Sequence, residues 1–144
     1  MLVQQILTSK SSDGVLTVPP GESVSQAAKV LSEHGIGTVV VSKDGKHAEG
    51  ILSERDVVRA LGKQGPACLS KAVDQLMTPN PIVCALSDTA MSVMSTMTTR
   101  RFRHMPVVED GKMVGLISLG DVVKARLSEL EVEKEALEGM IMGH

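Results

Sequence analysis

Residues 47–61 read HAEGILSERDVVRAL, and residues 113–127 read MVGLISLGDVVKARL. Gly50, Ser53, Asp56, Val57, Val58 and Ala60 fall on Gly115, Ser118, Asp121, Val122, Val123 and Ala125, 65 positions on. Each stretch predicts an apolar β run, then a serine, then a helix opening on an aspartate three residues later. Upstream the correspondence continues at 66 positions: Val41 falls on Val107, and Asp44-Gly45 on Asp110-Gly111. Farther back only the pattern survives, with Leu16, Glu22, Ser23 and Leu31 against Ile82, Asp88, Thr89 and Met97. A unit that returns in order marks an internal repeat.

Each half predicts the same elements. A short extended run, Leu16 to Val18 or Ile82 to Cys84, comes first. A helix follows, with Ser23 or Asp88 available to cap it. Val24, Ala27, Ala28 and Leu31 recur at helical spacing in the first half, and Met91, Met94 and Met97 in the second, as core packing. Two β runs then flank a tight Asp-Gly turn: 38–41 and 48–52, then 105–108 and 113–117. A second helix starts near Arg55 or Gly120. The linker, Gly62 to Asn80, has room for a short helix around Lys71 to Met77. The last helix extends to about Met140. Leu127, Leu130, Leu137 and Ile141 lie close to one face of it, in a tail rich in glutamate. That tail reads as a solvated helix that also packs on a partner subunit.

Composition narrows the function. The chain has 144 residues, 42% hydrophobic and 22% charged, enough for a packed core in one domain or two very small ones. A net charge of −2 offers no basic excess for a nucleic-acid backbone. One Phe and no Trp or Tyr leave no stacking platform for single strands. No apolar run reaches the roughly 18 residues of a membrane span. The first ten residues lack the pattern of a secretory signal. Cys68 and Cys84 form neither a disulfide framework nor a metal-spaced pair, so a reduced, cytoplasmic protein is expected. Cys84 reads as a small buried hydrophobe, and Cys68 as a linker residue open to exposure.

Two copies of β-α-β-β-α, each ending in Gly, two apolar residues, Ser, two residues and Asp, resemble the cystathionine β-synthase (CBS) domain. GILSERDVV and RFRHMPVVEDGKMVGLISLGDVV carry the likeness, which covers about residues 2–127 and is nearest to stand-alone bacterial pairs, or Bateman modules. The resemblance implies an α/β (α+β) fold: two CBS repeats packed about a pseudo-twofold axis, with a long C-terminal helix. The expected divisions are 1–66, 67–128 and a helical extension at 129–144. The resemblance further implies clefts between the copies that bind adenine ligands such as AMP, ATP or NADH, a homodimer, and a regulated protein partner.

On that footing Asp56 and Asp121 are expected to hold ribose hydroxyls. Ser53, Ser118, Arg55, Arg103 and His104 are expected to meet phosphate or ribose. Thr17, Val18, Ile36, Thr38, Ile82 and Val83 are expected around adenine. A helix N-terminus beside each serine favours phosphate. The copies differ: Gly37 and Thr38 stand where the second copy has Arg103 and His104, Val83 replaces Thr17, and Gly120 replaces Arg55. Ser-x-x-Asp is also close to a capping box, so both readings stay open. His34 and His47 read as ordinary exposed residues.

No metal-spaced cluster and no nucleophile–base pair is recognisable. No catalytic residue, metal or catalytic cofactor is therefore expected, nor any nucleic-acid or membrane partner. Three functions remain: an adenine-nucleotide sensor acting on a partner, a ligand-free dimeric interaction module, and a redox-linked NAD(H)-responsive regulator.

Overall fold

The computed structural model describes residues 1–10 and 14–142. The chain runs α1 (Val3–Ser9), β1 (Thr17–Val18), α2 (Val24–His34), β2 (Thr38–Val41), β3 (Gly50–Ser53) and α3 (Glu54–Gln64). Then follow β4 (Thr78–Pro79), α4 (Ala90–Arg100), β5 (His104–Glu109), β6 (Lys112–Ser118) and α5 (Leu119–Ile141). Two 3₁₀ turns, Pro66–Ser70 and Val73–Gln75, replace the single linker helix that the sequence suggested.

The repeat is a repeat of structure. In the first copy β1 pairs in parallel with β2, β2 antiparallel with β3, and β3 antiparallel with β4. In the second copy β5 and β6 form an antiparallel pair. The expected strand Ile82 to Cys84 shrinks to one parallel bridge, Cys84 to Val107. That bridge matches the Val18–Val41 pair of β1 and β2. Each copy has its own core. Val24, Ala27, Leu31, Val39, Val41, Leu52 and Val57 fill the first. Ala90, Val93, Met97, Met105, Val107, Ile117 and Val122 fill the second. Burying such side chains supplies the main favourable energy of each half.

The second core also takes Val3 and Ile6 of α1, which lies before β1 in sequence. Its counterpart in the first core is Val73 from the linker. The backbone shows the same exchange. The Val3 N–H donates to Asp88 O, and the Val73 N–H to Glu22 O, both at 2.8 Å. Side chains from these two segments press on glycines in the central strands. A Cβ on Gly115 would sit 2.8 Å from the Leu7 methyls, and one on Gly50 would strike Met77 and lie 3.0 Å from Thr78 O. Glycine at the start of each Gly-x-x-Ser motif thus leaves room for close packing, most tightly at Gly50, where backbone stands opposite.

Local chemistry sets the element ends. Ser23 Oγ caps α2, accepting from the Gln26 N–H. In the second copy the cap is Thr89, not Asp88. Asp88 instead accepts from the Ala85 N–H at 2.8 Å. Both helices end on a left-handed residue, Gly35 at φ 60° and Arg101 at φ 61°. Glycine takes that geometry freely, whereas arginine does so against a steric cost. Met91 proves 48% exposed, so the buried stripe of α4 is Ala90, Val93 and Met97.

Candidate cleft between the two copies

Ser53 and Asp56 form a reciprocal capping box at the start of α3. The Asp56 N–H donates to Ser53 Oγ at 3.2 Å, and the Ser53 N–H to Asp56 Oδ2 at 2.9 Å. Ser118 and Asp121 repeat it on α5, at 3.1 and 2.9 Å. Each aspartate thus satisfies a helix start and keeps a carboxylate oxygen outside the box. Capping and ligand contact are compatible in one residue here.

The two helix starts are tied to the strand entries in the same way. The Glu54 N–H donates to Gly37 O, and the Leu119 N–H to Arg103 O, both at 2.8 Å. The next residues, Thr38 and His104, meet each other: Thr38 Oγ1 lies 3.2 Å from His104 Nδ1. These two hold corresponding places in the repeat. Corresponding residues touch where a pseudo-twofold axis passes, so the axis runs through this contact.

Beside it opens a cavity of about 650 Å³. The first copy supplies Leu16, Ile36 and Thr38 to its wall, and the second supplies His104, Leu116 and Ser118. Lys10 closes one side and His34 another. The Lys10 ammonium donates to Asp121 Oδ2 at 2.8 Å and to Leu116 O at 2.9 Å. Burial works to raise the Asp121 carboxyl. Hydrogen bonds from Lys10 and Ser118 outweigh it and hold the group below the usual carboxylate range. His104 is shifted down, first by burial and then by the charges of Lys10 and Arg103, against the opposing pull of Asp121. It is a neutral imidazole at neutral pH.

Of the residues expected at a ligand, Ile36, Thr38, His104 and Ser118 line this cavity, and Asp121 joins it through Ser118 and Lys10. Thr17, Val18, Ile82, Val83, Ser53, Arg55, Asp56 and Arg103 are outside its wall. Val18 is buried at 4% exposure in the first core. Ile82 and Val83 are exposed ahead of the Cys84 bridge. Arg55 and Arg103 are exposed. Asp56 has Arg59 Nη1 at 3.9 Å from Oδ1. A second hollow, about 560 Å³, lies between α2 and α3 against Leu31, Val57 and Val58.

Lys10 went unnoticed in the sequence, and His34 was not expected at a ligand. Val3 to Leu7 resemble Val73 to Met77, which relates the two segments but leaves open which core each completes. His34 is exposed as expected, yet it borders the cavity. Cys68, read as open to exposure, is wholly buried. Cys84 is buried as well, and desolvation, then the charge of Asp88, pushes its thiol up to about 12. Among the described residues no His, Cys, Asp and Glu group is arranged to hold a metal ion. No described helix is long and apolar enough to cross a membrane.

Two separate stretches, 3–63 and 73–128, match the model of one family, the CBS domain. The chain belongs to that family. It is 36% identical over 139 residues to the mitochondrial CBS domain-containing protein CBSX3 of Arabidopsis thaliana, covering 93% of this chain and 68% of that one. A CBS-domain-containing protein from Agrobacterium tumefaciens superposes with a TM-score of 0.82 at 44% identity, over 88% of this chain and 99% of that one. The CBS protein CBSX2, solved in complex with AMP, superposes at 0.72 with 29% identity, over 88% and 96%. The chain is thus a CBS pair similar to stand-alone CBS-pair proteins, and both capping boxes sit in corresponding places of its two CBS domains.

Proposed function

We propose that this CBS pair is a regulatory module that binds an adenine nucleotide, AMP, ATP or NADH, in the cleft beside Asp121 and passes its occupancy to a partner protein. The observation that carries the reading is the cavity between the copies. Its wall has apolar side chains, two imidazoles, and Lys10 and Ser118, which both bond an ionised aspartate on a helix start. Ile36 and Leu16 offer an apolar seat for a base. Asp121 Oδ1 is available to a ribose hydroxyl, because both Ser118 N–H and Lys10 Nζ bond to Oδ2. Phosphate would lie toward Lys10, His34 and His104. A bound phosphate would stabilise the protonated form of His104. The AMP complex of CBSX2, a similar fold, supports the ligand class. Asp56, with Ser53 and the adjacent Arg55, would serve a second, related cleft, and Arg103, beside His104, would meet phosphate from the second copy. No catalytic step is part of this reading.

The protein would act as a homodimer. The exposed leucines of α5 support that arrangement. Its two free, buried cysteines fit a reducing compartment such as the cytoplasm. A ligand-free interaction module is the second reading, favoured by Lys10, which already pairs with Asp121. Thermal unfolding against AMP, ATP and NADH separates the two. A ligand at about 100 times its dissociation constant adds roughly 2.7 kcal/mol, and Asp121→Ala should remove the gain. Unfolding unmoved by any of these ligands would leave the interaction module.

A further inference from the structure

Lys10 follows directly on α1 and belongs to the segment that completes the second core. Its side chain is 27% exposed and that of Asp121 24%, so the pair is partly shielded from water. An ammonium carries three N–H donors. Asp121 Oδ2 and Leu116 O take two of them. Lys10 lines the cavity, and the carboxylate it pairs with, Asp121, adjoins the wall through Lys10 and Ser118. Bare, that carboxylate would repel a phosphate. Paired in place, it adds no net charge and still offers Oδ1 to a hydroxyl.

Among the described residues no lysine pairs with Asp56 in the other copy. Asn80 follows Val73 by the same seven positions that separate Lys10 from Val3. Asn80 is an uncharged amide, and its backbone N–H donates to Glu49 O at 3.1 Å. Among the described residues the cation paired with Asp56 is Arg59, 3.9 Å away and largely exposed. The two clefts thus differ in charge at the residue meant for ribose.

We propose that Lys10 sets the charge selectivity of the Asp121 cleft, neutralising the ribose-binding carboxylate so that the cleft takes a phosphorylated adenosine over the uncharged nucleoside. The inference rests on the nucleotide reading above and assigns the specificity of that site. Lys10 acts by charge, so arginine should replace it and an isostere without charge should not.

The test is titration calorimetry of AMP and adenosine against the wild type and against Lys10→Met, Lys10→Arg and Asp121→Asn, with circular dichroism checking the fold of each. In Lys10→Met the preference for AMP over adenosine should fall at least about tenfold, the usual scale of one charge-assisted hydrogen bond. Lys10→Arg should keep most of it. Asp121→Asn should weaken both ligands. An unchanged preference in Lys10→Met, with both ligands still weakened by Asp121→Asn, overturns the role of Lys10 alone. Undiminished binding of both ligands to Asp121→Asn, or no binding of either to the wild type, overturns the cleft reading and this inference with it.

Discussion

His104 and Asp121 both respond to protons, and in the same direction. Burial holds His104 below its ordinary value of 6.5, so the unfolded chain takes up a proton before the folded one. Stability therefore falls as pH drops from 6.5 through the folded value. Asp121 is held below its ordinary 3.8; its contribution is present above 3.8 and is lost as pH falls through the folded value. Urea unfolding at a series of pH values should show two successive losses on acidification. His104→Gln should flatten the first, and Asp121→Asn the second. A first loss undiminished in His104→Gln would show that other groups carry it. At this scale the sequence was informative where the repeat pointed. Ser118 and Asp121 were found because Ser53 and Asp56 match them, and His104 because it precedes the expected strand Met105 to Val108, where the resemblance expects basic residues at phosphate. Lys10 was missed because its segment was assigned to the copy that follows it in sequence.

α1 is the element whose role most needed the three-dimensional structure. Seven residues make a marginal helix on their own, and tertiary contact is what holds it. Val3 is fully buried and Ile6 is 3% exposed, both within the second core. Ile6→Ala should cost about 2–5 kcal/mol, the range for emptying a buried aliphatic site. Hydrogen exchange should show the protection of β5 and β6 falling more than that of β2 and β3. Equal loss in both copies would mean that the two cores melt as one unit. The helices α2 and α3 were legible because their apolar period and caps are local. α4 was legible in extent only. Its buried face depends on which side meets the second core, where Ala90, Val93 and Met97 lie while Met91 faces outward. The missing β1 counterpart in the second copy has a similar cause: Cys84 has a partner strand, while Ile82 and Val83 are exposed.

At the scale of the molecule, the two copies meet at the Thr38–His104 contact and leave the long α5 projecting. Leu127, Leu137 and Ile141 are 62%, 59% and 85% exposed on it. Such a patch needs a cover, and the proposed homodimer provides one. Leu130→Glu with Leu137→Glu should turn a dimer into a monomer in sedimentation, while circular dichroism stays unchanged. A double variant that sediments as the wild type does would place the dimer contact elsewhere. The sequence by itself determined the duplication, the order of elements in each copy and the capping motifs. These are written in local periodicity and in residues that recur at fixed spacing. Only the tertiary structure decided that the N-terminal segment completes the second core, that Thr38 meets His104, and that Lys10 holds Asp121. Those contacts join residues 66 to 111 positions apart. They are set by how two similar cores pack, and no local pattern encodes that.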